Sequence, residues 1–221
     1  MRRFFHLLLA SLSFCCIMIS CEKEGSGNHS FGRTKYGVDG KTPLPETVDL
    51  GIKVNGKTIK WASCNLGASS PEEYGDYYAW GELEPKLSYT EENYTFKDNP
   101  SNLTDAGRDV ARVKLGGKWR MPTIEELFAI SEQCIWTDDF VNGVKVKKAT
   151  GPNKKCIYFP YAGAWDGSSL GYAGSIGEYW SSSLNTGSPR NAYLLNFGSG
   201  DVYASNDYRR YHGLSVRPVS E

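Results

Sequence analysis

The stretch that most restricts how this chain can fold is its last fifth, from Glu178 to Val219, which reads as strands separated by turns. A short apolar run, Tyr179-Trp180, ends in serines and is followed by the turn Asn185-Thr186-Gly187. A strand over Ala192–Phe197, the turn Gly198–Asp201 and a brief strand over Val202–Ala204 come next. A polar loop, Ser205–His212, then leads into a closing strand over Leu214–Val219. Period-two alternation puts Tyr193, Leu195 and Phe197 on one strand face, the expected core face. Leu194 and Asn196 share the other, beside Asp201, Tyr203 and the loop. The result is a patch of Tyr, Ser, Asn, Asp, Arg and His. Tyrosine supplies stiff contact area and small polar residues supply adaptable hydrogen bonds, the mixture used by antibody paratopes. A solvated sheet edge with ordinary turn residues is the competing reading.

Composition agrees with a turn-rich, largely β chain whose core leans on aromatics: 24 Gly, 14 Tyr and 6 Trp among 221 residues. Basic and acidic residues balance at 25 each, which argues against a nucleic-acid partner. A chain this long can bury a core without metal or disulfide staples.

The N-terminus is a targeting segment. Arg2-Arg3 precede an apolar run, Phe4–Ile19, too short for a typical spanning helix. The run ends in Met18-Ile19-Ser20-Cys21, which resembles the bacterial lipobox. That resemblance implies cleavage after Ser20, so that residues 1–20 are the signal peptide and Cys21 carries the lipid. Each buried methylene of the acyl chains contributes about 0.8 kcal/mol to the anchor. An ordinary signal peptide is the alternative. Glu22 and Glu24 resemble an export tag for the outer face of the outer membrane. Residues 21–46, rich in Gly and Lys with Pro43 and Pro45, read as a flexible tether.

Residues 47–221 read as one globular domain. Asn55-Gly56 joins strands Val48–Val54 and Lys60–Cys64, and Asn142-Gly143 marks another hairpin ahead of strands Val144–Lys148 and Lys155–Phe159. Leu103–Val113 reads as a short helix capped by Thr104, with Val110 and Val113 inward. Thr123 and Glu126 form a capping box that starts a helix at Ile124, with Leu127 and Ile130 facing the core and Trp119 buried beside it.

Of six cysteines, three belong to the signal region, leaving Cys64, Cys134 and Cys156. The expected bridge is Cys64–Cys134, with Cys156 buried on its strand. No C-x-x-C, G-x-S-x-G, H-E-x-x-H or P-loop spacing occurs, so the sequence offers no sign of a metal, a cofactor or a hydrolase centre.

Six blocks in order resemble one family: Val48–Gly51, Trp61–Ala68, Tyr74–Glu82, Gly117–Thr123, Tyr179–Ser183 and Gly213–Val219. Together they resemble the FISUMP (major paralogous) domain of bacterial surface lipoproteins. That domain is related to sulfatase-modifying enzymes and to retroelement-diversified variable proteins. The resemblance implies an α+β, C-type lectin-like domain with mixed small sheets, about two short helices and long loops. It further implies that Val48–Val54 and Leu214–Val219 share a sheet, and that the segment between Trp180 and Gly213 carries the binding face. Tyr193, Leu195, Phe197, Val202, Arg210, Gly213 and Arg217 would be its scaffold. Leu194, Asn196, Asp201, Tyr203, Ser205, Asn206, Asp207, Tyr208, Tyr211 and His212 would be its ligand contacts. No cysteine lies between Glu178 and Glu221, and no E-P-N or W-N-D calcium loop occurs, so both oxygen-dependent modification and calcium-dependent sugar binding are disfavoured. The expected protein is a lipid-anchored, outward-facing outer-membrane lipoprotein that binds a protein or glycan without catalysis. A structural part of an envelope complex and a sulfatase-modifying-type enzyme are the alternatives.

Overall fold

The structure, a computed structural model, describes residues 35–221, with the side chains of Ser205 and Asn206 excepted. The signal peptide and Cys21 lie outside the described residues.

Two asparagine-glycine turns set the first hairpins. Strands β1 (Thr47–Val54) and β2 (Lys57–Ala62) meet at Asn55-Gly56, both at positive φ (51° and 79°). This left-handed pair matches the twist of the flanking strands. The same device joins β5 (Ile135–Val141) to β6 (Val144–Thr150) through Asn142-Gly143, at φ 49° and 81°. Strand β3 is Tyr77–Tyr78, β4 is Trp119–Arg120 and β7 is Cys156–Pro160; β8 (Ala164–Asp166) and β9 (Ser169–Gly171) form a small separate hairpin. The C-terminal part supplies β10 (Gly177–Leu184), β11 (Asn191–Phe197), β12 (Val202–Arg209), β13 (Leu214–Ser215) and β14 (Val219–Ser220).

Among the described residues four sheets result, in the orders β1-β2-β14-β4, β12-β11-β10-β13-β3, β5-β6-β7 and β8-β9. The five-stranded sheet lies between two cores. Trp180 and Leu194 enter one with Trp80, Tyr78 and Leu214, while Tyr179, Leu195 and Phe197 enter the other with Trp61, Phe159 and Leu127. A sheet covered on both faces has no solvent side, so strict in-out alternation is lost. A bulge between Leu194 and Asn196 offsets the faces further.

The expected α+β, C-type lectin-like fold is not the one found. Fourteen strands accompany only two helices, α1 (Val110–Leu115) and α2 (Ile124–Gln133), among the described residues. The fold is predominantly β, because hairpin after hairpin closes locally on turn residues and neither helix forms a layer. α2 begins where the capping box puts it: Thr123 Oγ1 accepts from Glu126 N–H (3.4 Å) and Glu126 Oε2 accepts from Thr123 N–H (2.9 Å). Leu127 and Ile130 are buried, and so is Trp119. α1 is shorter than expected. Its N-cap is Asp109, not Thr104, and Val113 is exposed.

The closing strand is divided. Leu214–Ser215 joins the five-stranded sheet and Val219–Ser220 joins the sheet of β1, which it shares through β2. Between them the fully buried Arg217 donates to Asn65 Oδ1 from Nε and Nη2 (2.9 and 2.7 Å), to the Ala62 carbonyl (3.1 Å) and to the Tyr158 carbonyl (2.7 Å). Cys64 and Cys134 are both buried and are not bridged, and Cys156 is half-buried on β7. At the near end of the expected tether, Asp39 accepts from the N–H groups of Lys41 and Thr42 (2.9 Å each) and donates its own N–H to the Lys114 carbonyl (3.2 Å). That turn is seated on α1.

Candidate functional site

Register decides which side chains of the C-terminal sheet stand together. Glu178 on β10 lies opposite Asn196 on β11, which lies opposite Tyr203 on β12. Directly opposed residues share a face, so these three form a row. Asn196 Nδ2 donates to Glu178 Oε1 at 3.2 Å. Burial raises the Glu178 carboxyl above the ordinary glutamate value, and the Asn196 bond works the other way. Tyr203 ends the row, half exposed at 52%, with its hydroxyl 3.4 Å from Asp201 Oδ2 at the hairpin tip.

A second group borders this row. The rings of Tyr208 and His212 stack at 4.1 Å and 7°, and Tyr211 covers His212 at 4.3 Å and 34°. His212 Nδ1 sits 3.2 Å from the Arg209 carbonyl and Nε2 sits 3.3 Å from Asp166 Oδ1. Burial holds the imidazole below its usual value, so at neutral pH it carries one N–H for two acceptors. With both nitrogens facing partners, the ring serves as a brace. Burial also raises the Tyr208 phenol, and the carboxylates of Glu178 and Asp166 push it the same way.

The expected ligand residues therefore divide. Asn196, Tyr203, Tyr208, Tyr211 and His212 gather around this face, although His212 is itself buried. Leu194 is buried in the core at 2% exposure and is not a contact. The polar loop expected from Ser205 does not exist, because β12 continues to Arg209. Asp207 is fastened within the sheet, accepting from Asn191 Nδ2 at 3.0 Å and from Asn185 Nδ2. Those bonds let a polar stretch continue as strand. Ser205 and Asn206 lie on β12, with their side chains outside the described residues. Asp201 is exposed at the turn. Tyr193, expected in the core, is half-buried and belongs to neither cluster.

Sequence reasoning missed Glu178, Asp166, Lys97 and Arg190 and took Arg210 for scaffold, although it counted arginine in the patch. A cleft of about 450 Å³ opens beside Tyr211, lined by Lys97, Arg190, Arg209 and Arg210 with Tyr94, against one acidic residue, Glu91. Arg210 is 5% exposed, and its guanidinium lies over Trp80, Tyr94 and Phe96 at 5.3, 5.4 and 5.9 Å. Nη1 and Nη2 donate to the Asp98 and Phe96 carbonyls (2.8 and 3.0 Å), while the buried Nε has no partner among the described residues. Four cations with aromatic walls suit an anionic or hydrogen-bond-accepting group. The signal was available in the run Asp207-Tyr208-Arg209-Arg210, whose arginines stand out once the Arg190 carbonyl is known to accept the Arg210 N–H at 3.1 Å.

The family model described as the Lcl C-terminal domain matches residues 54–220. That match is to this family and not to the FISUMP domain that the six blocks resemble. No curated protein matches, and no solved structure matches.

Proposed function

The chain belongs to the Lcl C-terminal domain family, and from that premise we propose that it is a non-catalytic binding domain, held at the bacterial surface by lipid on Cys21. The ligand is a protein or glycan, and it is recognised without metal by the Glu178–Asn196–Tyr203 row together with the arginine cleft at the other end of β12. The FISUMP-like order of the six blocks supports a surface lipoprotein of that kind, and the lipobox-like Met18–Cys21 supports the anchor in the outer membrane.

One observation carries the reading. The half-exposed Tyr203 stands at one end of β12, and past the half-buried Tyr208 the cleft of Lys97, Arg190, Arg209 and Arg210 opens at the other. Tyr and Arg concentrate interface energy, about 2 kcal/mol or more at each hot spot. Tyr208 and Tyr211 also pack on the core, so they are poor probes of binding alone. Tyr203, Arg190 and Arg209 are exposed and are better ones. The triple variant Tyr203→Ala/Arg190→Ala/Arg209→Ala should lose retention of a partner from host or microbial surface extracts while melting like wild type. Unchanged retention would move the site elsewhere. For the anchor, Cys21→Ser should abolish incorporation of radiolabelled palmitate.

A further inference from the structure

Near Gly213, β3, the β8–β9 hairpin and the Pro85–Tyr89 segment border a second, open depression of about 440 Å³. This size is within the range of small-ligand sites. We propose that it binds an uncharged pyranose sugar, with Trp165 as the stacking platform.

The walls are aromatic and fixed. Trp165 meets Tyr77 edge-on at 6.3 Å and 80°, and Tyr89 at 6.4 Å and 35°. Its backbone is clamped in both directions to Gly213, at 2.8 and 3.0 Å. Tyr77 donates its hydroxyl to the Ala162 carbonyl at 2.6 Å, and Tyr89 donates its own to the Tyr77 carbonyl. These phenol ends are tied down, so the rings need little ordering on binding. Trp165 is half-buried, packed on the core by part of its ring, and its indole N–H has no partner among the described residues.

Polar groups at the rim are of mixed kind. Glu73 uses one carboxylate oxygen on Ser69 N–H (2.7 Å), and Asp76 uses one on the Tyr78 hydroxyl (3.0 Å). Each has a second oxygen to offer. Lys86 is paired with Glu82 at 2.7 Å and sits 5.5 Å over the Tyr89 ring. An anionic ligand would face two carboxylates, and a cationic one would face an ammonium already seated on the aromatic wall. A neutral polyol meets neither penalty. Its hydroxyls can donate to Glu73 and Asp76 and accept from the Trp165 N–H, while its C–H face lies on the negative face of the indole.

This site is separate from the Glu178–Asn196–Tyr203 row, and the inference does not depend on the reading above. The test is titration of the full-length protein with cellobiose, lactose and N,N′-diacetylchitobiose, followed by tryptophan fluorescence and calorimetry. At least one should bind; Trp165→Ala should then weaken it about tenfold or more and Trp165→Tyr by no more than about threefold, with melting temperatures compared for both. Exposed Glu73 should also matter, so Glu73→Gln should weaken the same sugar, whereas Phe128→Ala, at an exposed position of α2, should leave it unchanged. The proposal fails if none of the three sugars binds, if binding survives Trp165→Ala in a folded protein, or if choline or sulfate binds in the depression in their place.

Discussion

Two buried side chains show how single residues are held by this molecule. Arg217 is a fully buried cation with no carboxylate paired to it among the described residues; backbone carbonyls, Asn65 and the face of Phe159 at 4.5 Å take that role. Its planar fork reaches three directions at once, which an ammonium on a flexible stem cannot. Arg217→Lys should therefore leave buried acceptors unsatisfied and lower unfolding free energy by about 2 kcal/mol or more in a urea titration. His212 makes a pH-dependent contribution. Its folded value is lowered by burial, so between that value and the ordinary one of about 6.5 the unfolded chain binds more protons. Its contribution is complete above that ordinary value and is lost as pH falls below it. Glu178 works in the opposite sense: its raised folded value means that its contribution falls as pH rises above the ordinary glutamate value. Comparing wild type with His212→Gln isolates the first effect. The stability advantage of the wild type should shrink as pH drops from about 7 to about 5.5. An advantage that is flat or grows toward acid would contradict the buried, neutral imidazole.

Elements differ in how much of their cause lies within them. The start of α2 is local: Thr123 and Glu126 satisfy each other's N–H groups, and Arg120 adds a bidentate pair to Glu126 at 2.7 and 2.6 Å. Thr123→Ala should lower unfolding free energy by about 1 kcal/mol. Glu126→Gln keeps a capping acceptor but breaks the buried bidentate pair with Arg120, so it should lower stability further; equal effects in thermal melts would mean the pair adds nothing. Elements of this kind, with the two Asn-Gly hairpins, are legible in the sequence because a few adjacent residues contain the whole reason for them. α1 is not. Thr104 and Asp109 are both good caps, and Asp109 prevails through the Met121 N–H, which lies 3.0 and 2.9 Å from its two oxygens and comes from a distant segment. The length of β12 is hidden for a similar reason, since Asn185 and Asn191 across the hairpin make its polar residues strand-compatible. For the candidate site, tyrosine-rich composition points to the correct part of the chain. Burial of Leu194 and the turning of Asp207 into the sheet depend on a bulge and on a second core that no strand pattern reveals.

At the scale of the whole molecule, one sheet serves two cores. Consecutive residues of β10, Tyr179 and Trp180, are buried in opposite directions, as are Leu194 and Leu195 of β11. Neither core can lose that sheet without exposing the other, and no bridge between Cys64 and Cys134 holds either one independently. The C-terminal segment strengthens the coupling. β14 follows the buried pair Val216-Arg217 and is not free to leave alone. Val219 pairs with both Trp61 and Arg120, and Glu221 reaches Arg120 at 3.1 Å and Lys57 at 3.0 Å. A domain built this way should unfold in a single step. With fluorotryptophan incorporated, the resonance of Trp180 reports one core and that of Trp61 the other. Both should disappear at the same urea midpoint. Midpoints separated by more than about 0.5 M would mean that the sheet belongs to one core and the other is a dispensable layer.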